Sequence, residues 1–108
     1  MIHPERLPTE TQLLPNYPNP FNPETWIPFQ LADTDRDKPV AIIIYDVVGN
    51  LIRTIDMGRL KAGRYLHPDQ SAYWDGRTDS GELVSSGLYF YSLQVGDYLS
   101  LIHISEPT

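Results

Sequence analysis

Cysteine is absent from this chain, which excludes disulfide bonds and thiolate metal sites. Basic residues are scarce, because eight Lys and Arg stand against 14 Asp and Glu and give a formal net charge of −6. Binding to a phosphate backbone needs clustered Lys and Arg, so we expect no nucleic-acid partner. The longest clean apolar run, Val40 to Tyr45, is far too short to be a transmembrane segment.

Helical periodicity is missing too, and short runs rich in β-branched and aromatic residues alternate with turn-forming residues. In a chain of 108 residues this pattern predicts one all-β domain. We expect an immunoglobulin/fibronectin-III-like antiparallel β-sandwich of about seven strands. The expected strands are Trp26–Leu31, Val40–Tyr45, Leu51–Ile55, Arg64–Leu66, Ser71–Trp74, Leu88–Val95 and Tyr98–Ile104.

Trp74 is predicted to be the central core residue, and the Asp75-Gly76 pair that follows it predicts an Asx-turn with a left-handed glycine. Pro28 cannot donate a hydrogen bond within a sheet, so its strand is expected at an edge or a bulge. The expected neighbours of Trp74 are Trp26, Phe29, Ile42, Ile44, Ile52, Tyr89, Tyr91 and Leu93.

Four prolines between residues 15 and 23 exclude a helix there and favour a stiff, extended lead-in to the domain. Residues 1–15 are polar and punctuated by proline, as an interdomain linker would be. We therefore expect residues 1–15 to be a linker from a missing upstream region and residues 16–98 to form the domain. The lead-in itself consists of Tyr17, Pro18, Asn19, Pro20, Phe21, Asn22 and Pro23.

Five motifs in order resemble bacterial C-terminal Ig-like domains related to that of the flagellar hook-capping protein, many of which are sorting domains of type IX secretion. The resemblance spans residues 14–98 and implies a non-catalytic sorting or surface-attachment module. It also implies that the domain is secreted or at the cell surface, with an upstream cargo domain and an outer-membrane secretion machinery as partners. Besides the lead-in, the motif residues are Tyr45, Asp46, Gly49, Gly63, Trp74, Asp75, Gly76, Gly87, Tyr89 and Tyr91.

The C-terminal stretch departs from this family, whose last strand usually carries several basic residues near a chain end. Residues 99–108 contain no Lys or Arg and resemble a peptide encoded by a common sequencing adapter. We expect this stretch to occupy the final strand position with a sequence that is not native. Residues 1–6 lack the features of a signal peptide, so we expect any export signal on a missing upstream part.

Two acidic patterns could carry chemistry. Asp33, Asp35 and Asp37 alternate as in a calcium loop, but the EF-hand positions for Gly and Glu are Lys38 and Ile44, so a weak surface site is the most that remains. The triplet at residues 79–81 matches that of aspartic proteases, which need two such carboxylates across a dimer axis. Polar turn-forming flanks favour a β-turn, and we expect neither an enzyme nor a cofactor.

Two alternatives to sorting stay open: a passive structural spacer and a carbohydrate-binding sandwich. Carbohydrate binding needs exposed aromatic rings that stack on sugars. The plausible surface aromatics are Tyr17, Tyr65, Tyr73 and Tyr98, and their spacing along the chain is wide. The other aromatic residues are expected in the core.

Overall fold

In this computed structural model, the described residues are 7–18, 24–85 and 87–105, with residues 98–105 described by their backbone alone. They contain nine strands and one short 3₁₀ turn, Asp33–Asp35. Of the helical segments in this part of the chain, none has the length and apolar character needed to cross a membrane. The strands are β1 (Gln12–Leu13), β2 (Thr25–Ile27), β3 (Phe29–Leu31), β4 (Pro39–Asp46), β5 (Leu51–Arg59), β6 (Gly63–Tyr65), β7 (Ala72–Trp74), β8 (Tyr89–Val95) and β9 (Tyr98–Ser105).

One layer is a four-stranded antiparallel sheet in the order β5-β4-β8-β9. Its centre is β4, in which Val40, Ile42 and Ile44 are buried and the residues between them are half-buried. Strand β5 is longer than expected, because it continues through Gly58, whose φ of 74° accompanies a register shift opposite Val40. Strand β9 pairs with β8 where the sequence analysis placed the closing strand.

The second layer is interrupted at Pro28. Strand β2 pairs with β7, whereas β3 pairs with β1 on one side and β6 on the other. Pro28 lies between β2 and β3, and its carbonyl accepts a hydrogen bond from the Leu14 N–H at 3.0 Å. A residue without an N–H is tolerated here because it stands where one partner strand ends and another begins. Pro28 thus lies at the junction of β2, which has one strand partner, and β3, which has two.

The core lies between the two layers, and the predicted all-β antiparallel sandwich is confirmed. Seven expected strands became nine because Pro28 divides one of them and because Gln12–Leu13 adds another. Trp74 is 1% exposed and contacts Tyr89 edge to face, with ring centroids 5.7 Å apart. The other core side chains include Leu13, Ile27, Phe29, Leu31, Val40, Ile42, Ile44, Ala72, Tyr91, Leu93 and Val95, with Ile52 partly buried against them.

The prediction for Trp26 was wrong, since its side chain lies outside this core. Thr25, Ile27, Phe29 and Leu31 are buried on one face, and Trp26 is half-buried on the other. Successive side chains of an extended chain point to opposite faces, and this alternation continues through the break at Pro28.

A buried polar group connects the two layers. The Tyr91 hydroxyl accepts a hydrogen bond from the Asn16 N–H at 3.0 Å and lies 3.2 Å from the Leu14 carbonyl. The Asn16 side chain, 4% exposed, donates to the hydroxyl of Thr25 at 3.0 Å and to the Pro18 carbonyl at 3.3 Å. Burial raises the pKa of Tyr91 to about 12. The start of the lead-in is therefore fixed to β8 through the interior.

The segment expected to be a linker is in part a component of the domain. Thr11 and Leu13 are buried, and the Thr11 hydroxyl accepts a hydrogen bond from the Ala32 N–H at 2.9 Å while it donates to the Asp35 carboxylate. The boundary expected between residues 15 and 16 therefore falls inside the packed structure. Residues 1–6 of the expected linker lie outside the described residues.

Replacing Thr11 by valine tests this packing. Valine has a similar shape but leaves the buried Ala32 N–H without its acceptor and Asp35 without its donor. We expect the free energy of unfolding to fall by about 1–3 kcal/mol, the usual cost of a buried group that loses its partner. Urea denaturation measures it, with the exposed Thr9→Val as the matched control. Equal stability of the two variants would show that this segment is only a linker.

The raised pKa of Tyr91 predicts that the folded domain loses stability at alkaline pH. The pKa of its hydroxyl is about 12 in the folded chain and about 10 in an unfolded one. The unfolded state then binds fewer protons between these values, so stability falls as the pH rises through them. Tyr91→Phe should reduce this pH dependence and lower stability at neutral pH, since Asn16 loses its acceptor. Thermal melts from pH 7 to 11.5 measure both effects, with Tyr45→Phe as control. An unaltered pH slope in Tyr91→Phe contradicts the assignment.

Candidate interaction surfaces

The loop after β7 is held by the residues of the Trp-Asp-Gly-Arg motif. The Asp75 carboxylate accepts a hydrogen bond from the Arg77 N–H at 3.0 Å, and the Trp74 indole N–H donates to the Arg77 carbonyl at 2.9 Å. Gly76 is buried and has a φ of 77°, in the left-handed region that glycine adopts without strain. The predicted Asx-turn with a left-handed glycine is confirmed.

The same loop covers the outer edge of β5. The Asp79 N–H donates to the Ile52 carbonyl at 3.0 Å, and the Asp79 carboxylate accepts from the Thr54 N–H at 3.1 Å. Arg53 lies 3.3 Å from Asp75 and 3.7 Å from Asp79. The triplet at residues 79–81 is part of a turn, which is closed by a hydrogen bond from the Gly81 N–H to the Thr78 carbonyl. Asp79 thus bonds to the edge strand, which limits pairing with another chain there.

Asp46 organises the tight turn between β4 and β5. Its carboxylate accepts hydrogen bonds from the N–H groups of Val48, at 3.0 Å, and Asn50, at 2.8 Å, and from the Asn50 side chain at 3.0 Å. These bonds, the Asn50 side chain first, lower the pKa of Asp46. Gly49 has a φ of 97°, which the turn requires.

Two of the three alternating aspartates bind different partners. Asp33 pairs with Arg36 at 2.7 Å, and Asp35 pairs with Lys38 at 3.1 Å and with Thr11. The Thr11 hydroxyl lowers the pKa of Asp35, and burial acts against it. Within the described residues, no group of three or more potential ligands is arranged to hold a metal ion.

The outer face of the four-stranded sheet is apolar near the turn between β4 and β5, and we call this part the aliphatic face. Tyr45 and Phe90 are half-buried on it, and Val47 and Val48 at its end are 64% and 80% exposed. A depression of about 390 Å³ lies between these side chains and Ser92. The Ser92 side chain is fully buried, and no described group bonds to its hydroxyl. Exposed valines and half-exposed aromatic rings around one depression are typical of a surface that binds another protein.

The outer face of the other layer carries three aromatic rings, which we call the aromatic row. Tyr17 stacks beside Trp26 with ring centroids 6.2 Å apart, and Trp26 contacts Tyr73 at 5.5 Å. Tyr17 is 36% exposed and Tyr73 is 43% exposed. Tyr17 and Tyr73, which are far apart along the chain, thus lie close together in space with Trp26 between them. Tyr65 stacks on Phe29 at 4.9 Å, and the side chain of Tyr98 lies outside the described residues.

A sequence model of the FlgD Ig-like domain matches residues 25–97. The chain belongs to the FlgD Ig-like domain family. The predicted resemblance is therefore confirmed at the level of the domain. A search of curated proteins found no match to this FlgD Ig-like domain.

Among solved structures, this FlgD Ig-like domain is similar to part of dimeric latent PorU from Porphyromonas gingivalis, with a TM-score of 0.67 and 16% sequence identity. The match covers 90% of this chain and 9% of that one. At this identity the likeness concerns the fold. It does indicate that the same sandwich occurs as a small part of a much longer protein.

In this FlgD Ig-like domain the motif residues are distributed between the core and the turns. Tyr89 and Tyr91 point inward from β8, and Gly87 lies just before that strand. Gly63 begins β6, opposite Leu31. Of the proline-rich lead-in, Tyr17 and Pro18 are described, whereas Asn19, Pro20, Phe21, Asn22 and Pro23 lie outside the described residues. The described motif residues thus lie partly in the core and partly in turns, and the aromatic row adds Trp26, which sequence reasoning had placed in the core.

The left-handed conformation of Gly76, in the loop after β7, predicts that a substitution there strongly destabilises the FlgD Ig-like domain. A side chain at a φ of 77° costs about 1–2 kcal/mol, and the β-branch of valine adds to it. Gly76→Val should therefore lower the melting temperature by several degrees, with Ser80→Ala in the exposed part of the loop as control. Calorimetry measures both variants. A melt for Gly76→Val equal to that of the unaltered chain would remove this account of the motif.

Proposed function

We propose that this FlgD Ig-like domain is a non-catalytic recognition module of an exported bacterial protein, which directs its cargo for secretion or attaches it to the cell surface in the manner of type IX sorting domains. Its partners are an upstream cargo domain in the same chain and an outer-membrane secretion machinery. The observation that carries the proposal is the aliphatic face with its depression of about 390 Å³.

The chemistry of the aliphatic face suits a folded protein partner. Its exposed side chains are valines, its half-buried ones are aromatic, and the carboxylate of Asp46 at its rim already bonds to N–H groups of its own turn. A partner can thus cover the face while this carboxylate keeps its hydrogen bonds. Aromatic residues near the centre of such a patch contribute most of the binding energy in protein interfaces.

The arrangement of the carboxylates supports binding over catalysis. Asp75 and Asp79 bond to backbone N–H groups of the loop and of β5, and Arg53 lies beside both. Carboxylates that act in acid–base catalysis are instead free to exchange a proton with a substrate held in a cleft. The motifs that resemble those of sorting domains support the same reading.

The test is a secreted reporter fused to the full 108-residue chain in a bacterium with type IX secretion. We expect the reporter outside the cell, and Val47→Asp/Val48→Asp should reduce its secretion several-fold, because two charges would be buried on docking. Leu7→Asp, at a side chain that is 50% exposed and does not line this depression, is the matched control. A parallel fusion replaces residues 99–108 with a strand rich in lysine, since sorting could require a basic end.

The possible outcomes distinguish sorting from the passive spacer. Sorting would be contradicted, and a spacer favoured, if the folded reporter stays in the periplasm both with residues 99–108 and with the lysine-rich replacement. Secretion that is equal in the valine and Leu7 variants would contradict the assignment of the aliphatic face. Urea denaturation of each purified variant separates loss of recognition from loss of folding.

A further inference from the structure

The aromatic row crosses the sandwich on the side opposite the aliphatic face. Tyr17 is bridged to Trp26 by backbone hydrogen bonds of 2.8 and 2.9 Å, and Trp26 is the register partner of Tyr73. The three side chains therefore follow one another across adjacent strands, at right angles to the chain direction. We propose that this row is a stacking platform for a neutral polysaccharide.

The rings are held in place by their own polar groups. The Tyr17 hydroxyl donates to the Leu66 carbonyl at 2.8 Å, and the Tyr73 hydroxyl donates to the Glu24 carboxylate. With the hydroxyls bonded to the protein, the apolar surfaces of the two tyrosines remain for a ligand, at 36% and 43% exposure. A surface that is ordered before binding loses less conformational entropy when the ligand arrives.

A row of polar residues runs parallel to the aromatic row on the same face. Gln30, four residues after Trp26, is the register partner of Gln12 on one side and of Arg64 on the other. The Gln30 amide N–H donates to the Glu10 carbonyl at 2.9 Å, so its amide oxygen, with the Gln12 amide and the Glu24 carboxylate, supplies the hydrogen-bonding groups for sugar hydroxyls. Sugar rings offer C–H groups to aromatic surfaces and hydroxyls to polar neighbours. This face of the domain therefore carries the aromatic and the polar groups that a sugar contacts.

The charges beside the platform select among ligands that stack. Glu24 bonds to Tyr73, and the carboxylates of Glu24 and Asp75 act with that bond to raise the pKa of Tyr73. Two negative groups at one end of the row repel acidic polysaccharides and nucleic acids, and proteins that stack nucleic-acid bases line them with positive charge. With a net charge of −6 on the chain, the neutral sugar is the ligand that fits.

The test uses the full chain and soluble neutral glycans such as hydroxyethylcellulose, xyloglucan and galactomannan, with alginate as the acidic comparison. Affinity electrophoresis should show retardation in at least one neutral glycan and none in alginate. In the ¹H–¹⁵N spectrum, the indole signal of Trp26 should shift on binding. The signal of Trp74 should stay in place, because its N–H bonds to Arg77 within the domain and its side chain is 1% exposed.

Variants assign the site. Trp26→Ala and Tyr73→Ala should each weaken the retardation about tenfold, which corresponds to roughly 1.4 kcal/mol. Tyr73→Phe keeps the ring and should retain most of the binding. Tyr45→Ala, on the aliphatic face, is the control and should bind as the unaltered chain does. An unmoved Trp74 signal shows that each variant is folded.

The proposal would be overturned by the absence of retardation in every neutral glycan tested. Equal retardation of the Trp26 and Tyr45 variants would also overturn it. So would a Trp26 signal that shifts with a proline-rich peptide and not with glycans. The last would assign the row to peptide binding, in which aromatic side chains hold extended proline segments. Because the aliphatic face lies on the other layer, each of these results leaves the secretion test unaffected.

Discussion

The hydrogen bonds of the Tyr91 hydroxyl are the interaction on which the arrangement of this domain depends. They join a strand of the four-stranded layer to the backbone of Asn16 in the other layer, at a position where both groups are buried. A buried N–H without an acceptor is costly, so this contact fixes where the proline-rich lead-in begins. From Asn16 the chain continues to Tyr17, whose backbone pairs with Trp26. The aromatic row is therefore positioned by a polar contact in the core.

Pro28 determines how the rest of that layer is divided. Without an N–H it cannot continue a ladder, and the chain changes partner there, from β7 to β6. The alternation of side chains nevertheless continues through the proline, with Ile27 and Phe29 both buried. The break at Pro28 thus changes which strands this segment pairs with, but its apolar side chains still face the core. The residues between β6 and β7 then supply the Leu66 carbonyl to which Tyr17 donates.

The sequence analysis identified the strands whose signal is local. Val40–Tyr45 and Leu88–Val95 are dense in β-branched and aromatic residues, and both lie at the centre of a sheet. The turns followed from Asp46, Gly49 and Gly76, whose hydrogen bonds span a few residues. Two features were missed, the packing of Thr11 and the outward position of Trp26. Thr11 bonds to residues more than 20 positions away, and the large apolar surface of Trp26 favoured the core over the outer face. The alternation Thr-x-Ile-x-Phe-x-Leu in residues 25–31 did carry the correct signal for Trp26.

Two outer faces with different chemistry are the basis of the two interactions proposed for this small sandwich. The aliphatic face presents Val47 and Val48 around aromatic rings, and it gains free energy mainly when water is excluded by a matching surface. The aromatic row presents ring surfaces beside carboxylate and amide groups, which suits a ligand that is itself apolar on its faces and polar at its rim. Because the core separates the two faces, a partner on one leaves the other open. The proposed protein partner on one side is therefore compatible with the proposed glycan on the other.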